Sequence, residues 1–289
     1  MGGQTKKAAV ETVKKQMRRS TLENRDRPPP SLLDRRRWCL TAMCLTMLLW
    51  TASVLPAQQR RGAPKHYTYV IVHGAWGGGW DWLAIDSMLT RRGHKVVRVT
   101  LTGLGERHHL ASPDIGLDTH IDDVVNKILW DNLRDVVLLG HSYGGMVITG
   151  VVDRIPDRIK RVVYLDALLP DSGESLMSIP DTTRAKFIQS VTQGAYIVPT
   201  WVQDTTVIPR DVPQSLRTFT DTLRLVNPAR LKVPATYILT YEPQITPDPF
   251  QMFADRAAAR GWPVYKMVSD HLPERTHRSE LVTLLEKVP

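Results

Sequence analysis

The sequence predicts an α/β fold with a mainly parallel sheet that is flanked by helices. Two observations predict it. Short runs rich in β-branched residues alternate with longer segments whose apolar residues recur at helical spacing. This alternation is typical of strands joined by helical crossovers, which place neighbouring strands parallel. The chain also has 289 residues, of which 42% are hydrophobic, so it is large enough to bury a sizeable core.

The predicted elements alternate along the chain from residue 67. Each predicted strand is short and apolar, and each predicted helix has an apolar face. The predicted strands cover residues 67–72, 95–99, 136–139, 161–166, 235–240 and 264–267. The predicted helices cover residues 80–90, 117–129, 145–154, 250–260 and 278–287.

The alternation is interrupted over about residues 171–234. Several prolines break this segment, and it contains no convincing β run. We therefore predict a helical cap, inserted after the strand that ends near Asp166. The aromatic residues Phe187, Tyr196 and Trp201 of this segment either line a substrate pocket or attach the insertion to the sheet.

The excess of positive charge lies near the N-terminus. The formal net charge of the chain is +9, and residues 1–37 carry eleven Lys/Arg against four Asp/Glu. Residues 58–289 carry 27 Lys/Arg against 25 Asp/Glu, without a basic stripe that has interleaved aromatic residues. We therefore predict a disordered basic tail at 1–37 and no nucleic-acid partner.

An uncharged apolar segment follows the basic tail. Residues 38–55 read WCLTAMCLTMLLWTASVL, after three arginines and before Pro-Ala-Gln. This pattern predicts a signal peptide over 38–57, with export of the remaining domain, 58–289, to the periplasm or the medium. Because the segment is also barely long enough to span a bilayer, an uncleaved membrane anchor is the alternative.

One motif indicates a nucleophile. Residues 140–144 read Gly-His-Ser-Tyr-Gly, which fits G-x-S-x-G, and they lie between a predicted strand and a predicted helix. The glycines let strand and helix approach closely, while the turn forces the serine into a strained backbone conformation. The hydroxyl of Ser142 then projects near a helix N-terminus, where negative charge is favoured. Ser142 is therefore the candidate nucleophile.

A serine that attacks a carbonyl group needs N–H donors for the oxyanion. In this arrangement, one donor belongs to the residue after the serine and the other to a loop after an earlier strand. The glycine-rich run HGAWGGG at 73–79 follows the first predicted strand. We assign the donors to Tyr143 and Ala75, with Trp76 as the alternative to Ala75.

These motifs together resemble the α/β-hydrolase superfamily over about residues 66–289. They read VHGAWGGGW at 72–80, GHSYGG at 140–145 and SDHLP at 269–273. Within the superfamily, the chain is most similar to small esterases related to plant methyl-salicylate esterases, hydroxynitrile lyases and bacterial pyrethroid-type carboxylesterases. The runs LTGLGERHHL at 101–110 and DIGLDTHIDDVV at 114–125 resemble the bacterial members. The resemblance implies the α/β-hydrolase fold.

The resemblance also implies a histidine near the C-terminal end. His271 follows the predicted strand 264–267, precedes the last predicted helix and matches the histidine motif of the family. It is the candidate general base for Ser142.

The acid of the triad has two candidates. Relatives usually carry an aspartate in a turn after the penultimate strand, where this chain has Glu242 followed by a proline, and Asp248 lies further along. Haloalkane dehalogenases carry their acid after the strand that follows the nucleophile helix, and the run Tyr-Leu-Asp-Ala around Asp166 looks similar. Both Asp166 and Glu242 remain open.

The predicted activity is hydrolysis of a hydrophobic carboxylic ester, a small molecule, by a serine mechanism. No cofactor is implied, because residues 58–289 contain no P-loop, no H-E-x-x-H pair and no cysteine. Two other functions stay open: a hydroxynitrile-lyase-like activity, and binding of a ligand without turnover. Hydroxynitrile lyases carry a lysine where this chain has Leu272. A membrane partner is expected only if residues 38–55 remain as an anchor, and nothing in the sequence indicates an oligomeric state.

Overall fold

The computed structural model of the protein describes residues 65–288. The predicted tail at 1–37 and the predicted signal or anchor at 38–57 lie outside the described residues. Residues 65–288 belong to one unit. None of the helices formed by residues 65–288 combines the length and the apolar character that a membrane span requires.

A six-stranded sheet forms the centre of this unit. Its strands are β1 (Thr68–Val72), β2 (Lys95–Val99), β3 (Val136–His141), β4 (Ile159–Leu165), β8 (Ala235–Tyr241) and β9 (Val264–Val268). The strand order is β2-β1-β3-β4-β8-β9, and every neighbouring pair is parallel. This confirms the predicted parallel sheet, and each predicted strand agrees with the observed one to within two residues at either end.

Both faces of the sheet are buried, as is usual for parallel strands. Every residue of β3 is buried. Because side chains alternate along a strand, Ile71 and Leu139 belong to the core on one face, whereas Val72 and Leu138 belong to the core on the other. Each strand therefore reads as a nearly continuous apolar run.

Helices cover the two faces. The helices outside the insertion are α1 (Leu83–Arg91), α2 (Leu117–Trp130), α3 (Gly144–Arg154), α6 (Gln251–Ala259), α7 (Pro273–Thr276) and α8 (Arg278–Lys287). Buried residues of α1 and α8 belong to one core cluster, and those of α2, α3 and α6 belong to the other. The amphipathic pattern of these segments thus places helices on both sides of the sheet.

The segment between β4 and β8 contains both helices and a small second sheet. Its elements are α4 (Thr182–Val191), β5 (Thr192–Gln193), β6 (Tyr196–Ile197), β7 (Gln214–Ser215) and α5 (Arg217–Thr220). Asp181 caps α4, since its carboxylate accepts hydrogen bonds from the backbone N–H groups of Thr183 and Arg184. The sequence predicted the helices but not the three-stranded antiparallel sheet, whose strands are only two residues long.

The carboxyl ends of parallel strands meet at one edge of the sheet, and ligand sites of α/β folds lie there. The glycine-rich loop follows β1 at this edge, Ser142 follows β3, Asp166 follows β4, and His271 comes shortly after β9. Four segments that are distant in the sequence therefore meet at the carboxyl edge of the sheet.

Candidate active site

The turn between β3 and α3 holds Ser142 in a conformation that its neighbours enforce. Ser142 has a φ of 54°, in the left-handed region. A Cβ atom at Gly140 would lie 2.7 Å from the carbonyl oxygen of Gly144, and one at Gly144 would lie 2.7 Å from that of Val72. Because strand and helix approach this closely, only glycine fits at both positions. The tight turn leaves the serine side chain at the sheet edge.

Ser142, His271 and Asp166 form a continuous chain of hydrogen bonds. The distance from Ser142 Oγ to His271 Nε2 is 3.0 Å, and that from His271 Nδ1 to Asp166 Oδ2 is 2.6 Å. The Nδ1–H group donates to the carboxylate, so that Nε2 is free to accept the serine proton. This arrangement is that of a nucleophile, a general base and a carboxylate that orients the base.

Asp166 is buried, and each of its carboxylate oxygens accepts a hydrogen bond. Its φ is 42°, and only 3% of the residue is exposed. The backbone N–H group of Thr240 donates to Oδ1 at 3.1 Å. Burial raises the pKa of Asp166, whereas the hydrogen bonds from His271 and Thr240 oppose this rise by favouring the charged form.

Two rings fix the plane of the His271 imidazole, and neither was predicted from the sequence. Phe250 stacks on one side at 4.7 Å between ring centroids, and the ring of His141 also lies 4.7 Å away. His141 Nε2–H donates to the backbone oxygen of His271 at 2.8 Å. Burial holds the pKa of His141 well below its usual range, and the neighbouring His271 acts in the same direction, so His141 is neutral at pH 7. A signal for this role existed, because His141 is part of the G-x-S-x-G motif.

The other acid candidates make no hydrogen bond with His271. Glu242 accepts a hydrogen bond from the side chain of Gln244 at 2.9 Å. Asp248 accepts one from the backbone N–H group of Phe250 at 2.8 Å. The geometry therefore pairs Asp166 with His271, and the alternative assignment to Glu242 finds no support in it.

The oxyanion candidates differ in whether their N–H groups are available. The Trp76 N–H group donates to Gln214 Oε1 at 2.9 Å, so it is already occupied. Among residues 65–288, the backbone N–H groups of Ala75 and Tyr143 have no acceptor. Both residues line the same cavity as Ser142. The geometry thus favours Ala75 and Tyr143 over Trp76 as donors.

The side chain of Tyr143 is fixed on both sides. Its ring stacks on Phe219 of α5 with centroids 5.5 Å apart. Its hydroxyl donates to His120 Nδ1 at 2.9 Å, because His120 Nε2–H donates to the backbone oxygen of Thr102 at 3.0 Å. Burial lowers the pKa of His120 to about 4, which keeps the imidazole neutral and preserves this direction of donation at pH 7.

A large cavity adjoins the serine. It has a volume of about 960 Å³ and contains Ser142 and His271 in its wall. Its apolar lining comes mainly from the insertion and the segment around α6, and includes Leu176, Phe187, Ile188, Phe219, Phe250 and Met252. Of the three cap aromatics singled out in the sequence, Phe187 therefore lines this cavity. Tyr196 does not line it and lies in β6 instead.

The arrangement is suited to acyl transfer. Among residues 65–288, no group of three or more His, Cys, Asp or Glu side chains lies close enough to share an ion. The chemistry available at the site is a positioned hydroxyl, a base and two amide donors.

Comparisons with known proteins identify the family and the fold. Residues 69–284 match the sequence profile of the alpha/beta hydrolase family. A carbendazim hydrolyzing esterase from Nocardioides sp. (strain SG-4G) is 38% identical in an alignment of 223 residues that covers 70% of this chain and 91% of that protein.

A plant protein and a solved structure are also similar. Methylesterase 2 from Arabidopsis thaliana is 31% identical over 131 residues, which are 45% of this chain and only about half, 48%, of that protein. An extracellular alpha/beta-hydrolase from a Paenibacillus species has a TM-score of 0.65 at 24% identity. The match covers 77% of this chain and 98% of that structure, and it indicates a common fold.

Proposed function

The chain belongs to the α/β-hydrolase family and is a carboxylic ester hydrolase, and we propose that it cleaves a hydrophobic ester through an acyl-enzyme on Ser142. The single observation that carries this proposal is the hydrogen-bonded series of Ser142, His271 and Asp166, with distances of 3.0 Å and 2.6 Å. The apolar lining of the large cavity supports a hydrophobic substrate.

The first half of the reaction acylates the serine. His271 Nε2 accepts the proton of Ser142 as Oγ attacks the ester carbonyl carbon. The N–H groups of Ala75 and Tyr143 stabilise the negative charge that develops on the carbonyl oxygen. When the tetrahedral intermediate collapses, the bond to the alcohol oxygen breaks, and His271 gives its proton to the leaving alkoxide.

The second half releases the acid. His271 Nε2 takes a proton from water, and the resulting hydroxide attacks the acyl carbon on Ser142. Collapse of the second tetrahedral intermediate breaks the bond to Oγ, and His271 returns the proton to the serine. Asp166 keeps the imidazole oriented and stabilises its cationic form in both halves.

A burst experiment tests the proposal. Wild-type protein mixed with p-nitrophenyl hexanoate should release about one equivalent of p-nitrophenol before steady turnover, because p-nitrophenol is a good leaving group and the acyl-enzyme forms faster than it is hydrolysed. Ser142→Ala should abolish both phases. Ser279→Ala, which removes an exposed hydroxyl on α8, is the matched control and should behave as wild type.

The ester assay and a mandelonitrile assay together separate the competing functions. A binding protein would release no p-nitrophenol, whether as wild type or as Ser142→Ala. A lyase would cleave mandelonitrile without turning over the ester, and the neutral Leu272 next to His271 argues against it.

We also propose that the enzyme is exported, because residues 38–57 have the pattern of a signal peptide. N-terminal sequencing of protein recovered outside the cytoplasm should begin at Gln58. An intact N-terminus on membrane-bound protein would indicate an anchor instead.

A further inference from the structure

A second, smaller cavity adjoins the reacting atoms. It has a volume of about 380 Å³. Ala75, Trp76, Ser142 and His271 line both this cavity and the large one, so these four residues lie at the boundary between the two. An ester whose carbonyl carbon lies at Ser142 therefore has room for one half in each cavity.

Charged groups line both cavities, since Asp181, Arg184 and Asp248 lie in the wall of the large one, but only the smaller one places its carboxylates beside two indole rings. Its walls include two carboxylates, Asp81 and Asp211, together with Arg275. They also include two indole rings, Trp76 and Trp201, whose centroids are 5.1 Å apart in an edge-to-face arrangement. Aromatic faces next to a carboxylate attract cations, and quaternary ammonium groups in particular.

The charge of Arg275 is already matched within this wall. Arg275 Nε and one terminal nitrogen donate to the two carboxylate oxygens of Asp81 at 2.6 Å and 2.5 Å. The guanidinium group also lies over the ring of Trp80, 5.3 Å from its centroid. Such a bidentate pair fixes both side chains and leaves little of the positive charge for a second partner.

Asp211 accepts no hydrogen bond from a cationic group among residues 65–288 and makes only a long ion pair with Arg275. Its Oδ2 accepts a hydrogen bond from the neutral indole N–H of Trp201 at 2.7 Å. Its Oδ1 accepts no hydrogen bond from residues 65–288, and the nearest Arg275 nitrogen is 3.9 Å away. Burial raises the pKa of Asp211, and the nearby Asp81 adds to this rise, although Trp201 and Arg275 oppose it. The two carboxylates and one guanidinium therefore carry an uncompensated negative charge when all are ionised.

We infer that the smaller cavity binds an ammonium-bearing half of the substrate, with Asp211 and the Trp76 and Trp201 rings as its recognition groups. The inference rests on the proposed esterase function and adds the substrate class. A substrate of this class joins an apolar half, which fits the large cavity, to a half that carries a permanent or protonated amine.

Two pairs of isosteric esters test the inference. In the first pair, hexanoate is esterified with choline or with 3,3-dimethylbutanol, so the members differ in charge but hardly in shape. In the second pair, hexyl esters carry 4-(trimethylammonio)butanoate or 5,5-dimethylhexanoate, which moves the charge to the acyl half. The measured quantity is the ratio of kcat/KM for the cationic member to that for the neutral member.

Wild-type enzyme should prefer the cationic member about tenfold in one of the two pairs, and the pair that shows it identifies the half that the smaller cavity holds. Asp211→Asn should reduce the preference strongly, because the amide keeps an acceptor for Trp201 but loses the charge, and only the attraction of the two indole rings remains. Asp204→Asn is the matched control: it removes one negative charge from an exposed site in the same insertion and should keep the preference.

Two results would overturn the inference while leaving the esterase function intact: turnover of the neutral esters with no cationic preference in either pair, or a preference that is unchanged in Asp211→Asn. Absence of turnover for all four esters, together with no p-nitrophenol burst, would overturn the esterase proposal and this inference with it.

Discussion

At the residue scale, the position of one carboxylate decides which nitrogen of His271 can act as the base. Asp166 accepts the Nδ1–H group at 2.6 Å, which places the lone pair of Nε2 toward Ser142. In the proposed mechanism, the same carboxylate stabilises the imidazolium that forms during acyl transfer. Removal of the negative charge of Asp166 should therefore change the tautomer of His271 and also destabilise its protonated form.

Asp166→Asn should lower kcat by a factor on the order of 10³ or more, because the amide stabilises the wrong tautomer of His271. Steady-state hydrolysis of p-nitrophenyl hexanoate measures the effect. Glu242→Gln is the matched control, since Glu242 bonds with Gln244, and it should change kcat by less than about threefold. A large loss in Glu242→Gln with normal turnover in Asp166→Asn would reverse the assignment.

The choice between these two acids could not be made from the sequence. Both follow strands whose ends reach the same sheet edge, so the spacing of residues permits either. The decision depends on the path of the loops after β4 and β8. The positive φ of Asp166 and the hydrogen bond from Thr240, 74 residues away, are tertiary features that no local pattern predicts.

At the scale of elements, the insertion holds the glycine-rich loop after β1, residues 73–79, which carries the proposed oxyanion donor Ala75. Trp76 in this loop makes three hydrogen bonds with the insertion: its backbone N–H donates to Gln214, its indole N–H donates to the oxygen of Ile197, and its oxygen accepts from Val212. Gln214 also donates to Thr218 and is almost fully buried. The insertion therefore supports the loop that carries the Ala75 donor.

Gln214→Ala should lower kcat about tenfold with a smaller change in KM, because the Trp76 N–H group loses its acceptor and the Ala75 donor loses its fixed position. Ester kinetics measure both constants. Gln193→Ala, at an exposed position of β5 in the same small sheet, is the control and should have wild-type kinetics. Equal kcat values for both variants would mean that the insertion does not position the loop.

The elements differ in how far the sequence could predict them. The sheet strands were predictable because burial on both faces demands apolar, β-branched runs such as Val136–His141. The small sheet of the insertion was not, because a strand of two residues such as Tyr196–Ile197 has no periodicity to detect. Its pairing partner Gln214–Ser215 lies about 17 residues away, beyond any local turn signal.

At the scale of the whole molecule, one buried carboxyl group couples stability to pH. Glu274 in α7 is only 1% exposed, and neither of its oxygens has a hydrogen-bond partner among residues 65–288. Burial, reinforced by Asp81, raises its pKa to about 8 from the ordinary 4.5. The folded protein therefore keeps this proton over a pH range in which the unfolded chain releases it.

Between pH 4.5 and about 8, this group should lower the free energy of unfolding by up to about 1.4 kcal/mol per pH unit as the pH rises. Glu274→Gln stays neutral, so it should be more stable than wild type at pH 9 and similar at pH 5. Urea unfolding at the two pH values measures this difference. Glu280→Gln, at an exposed position of α8, is the control, and its free energy of unfolding should change with pH as that of wild type does. If the free energy of unfolding of Glu274→Gln also changed with pH as in wild type, the raised pKa of Glu274 would be contradicted.

The measurement that tests the whole account most directly is the location of the acyl group during turnover. Wild-type protein mixed with p-nitrophenyl hexanoate, quenched in acid within the burst and digested, should yield one hexanoylated peptide, with the added mass on Ser142. Hexanoylation of another residue, or turnover without any covalent intermediate in repeated quenches across the burst, would contradict the account.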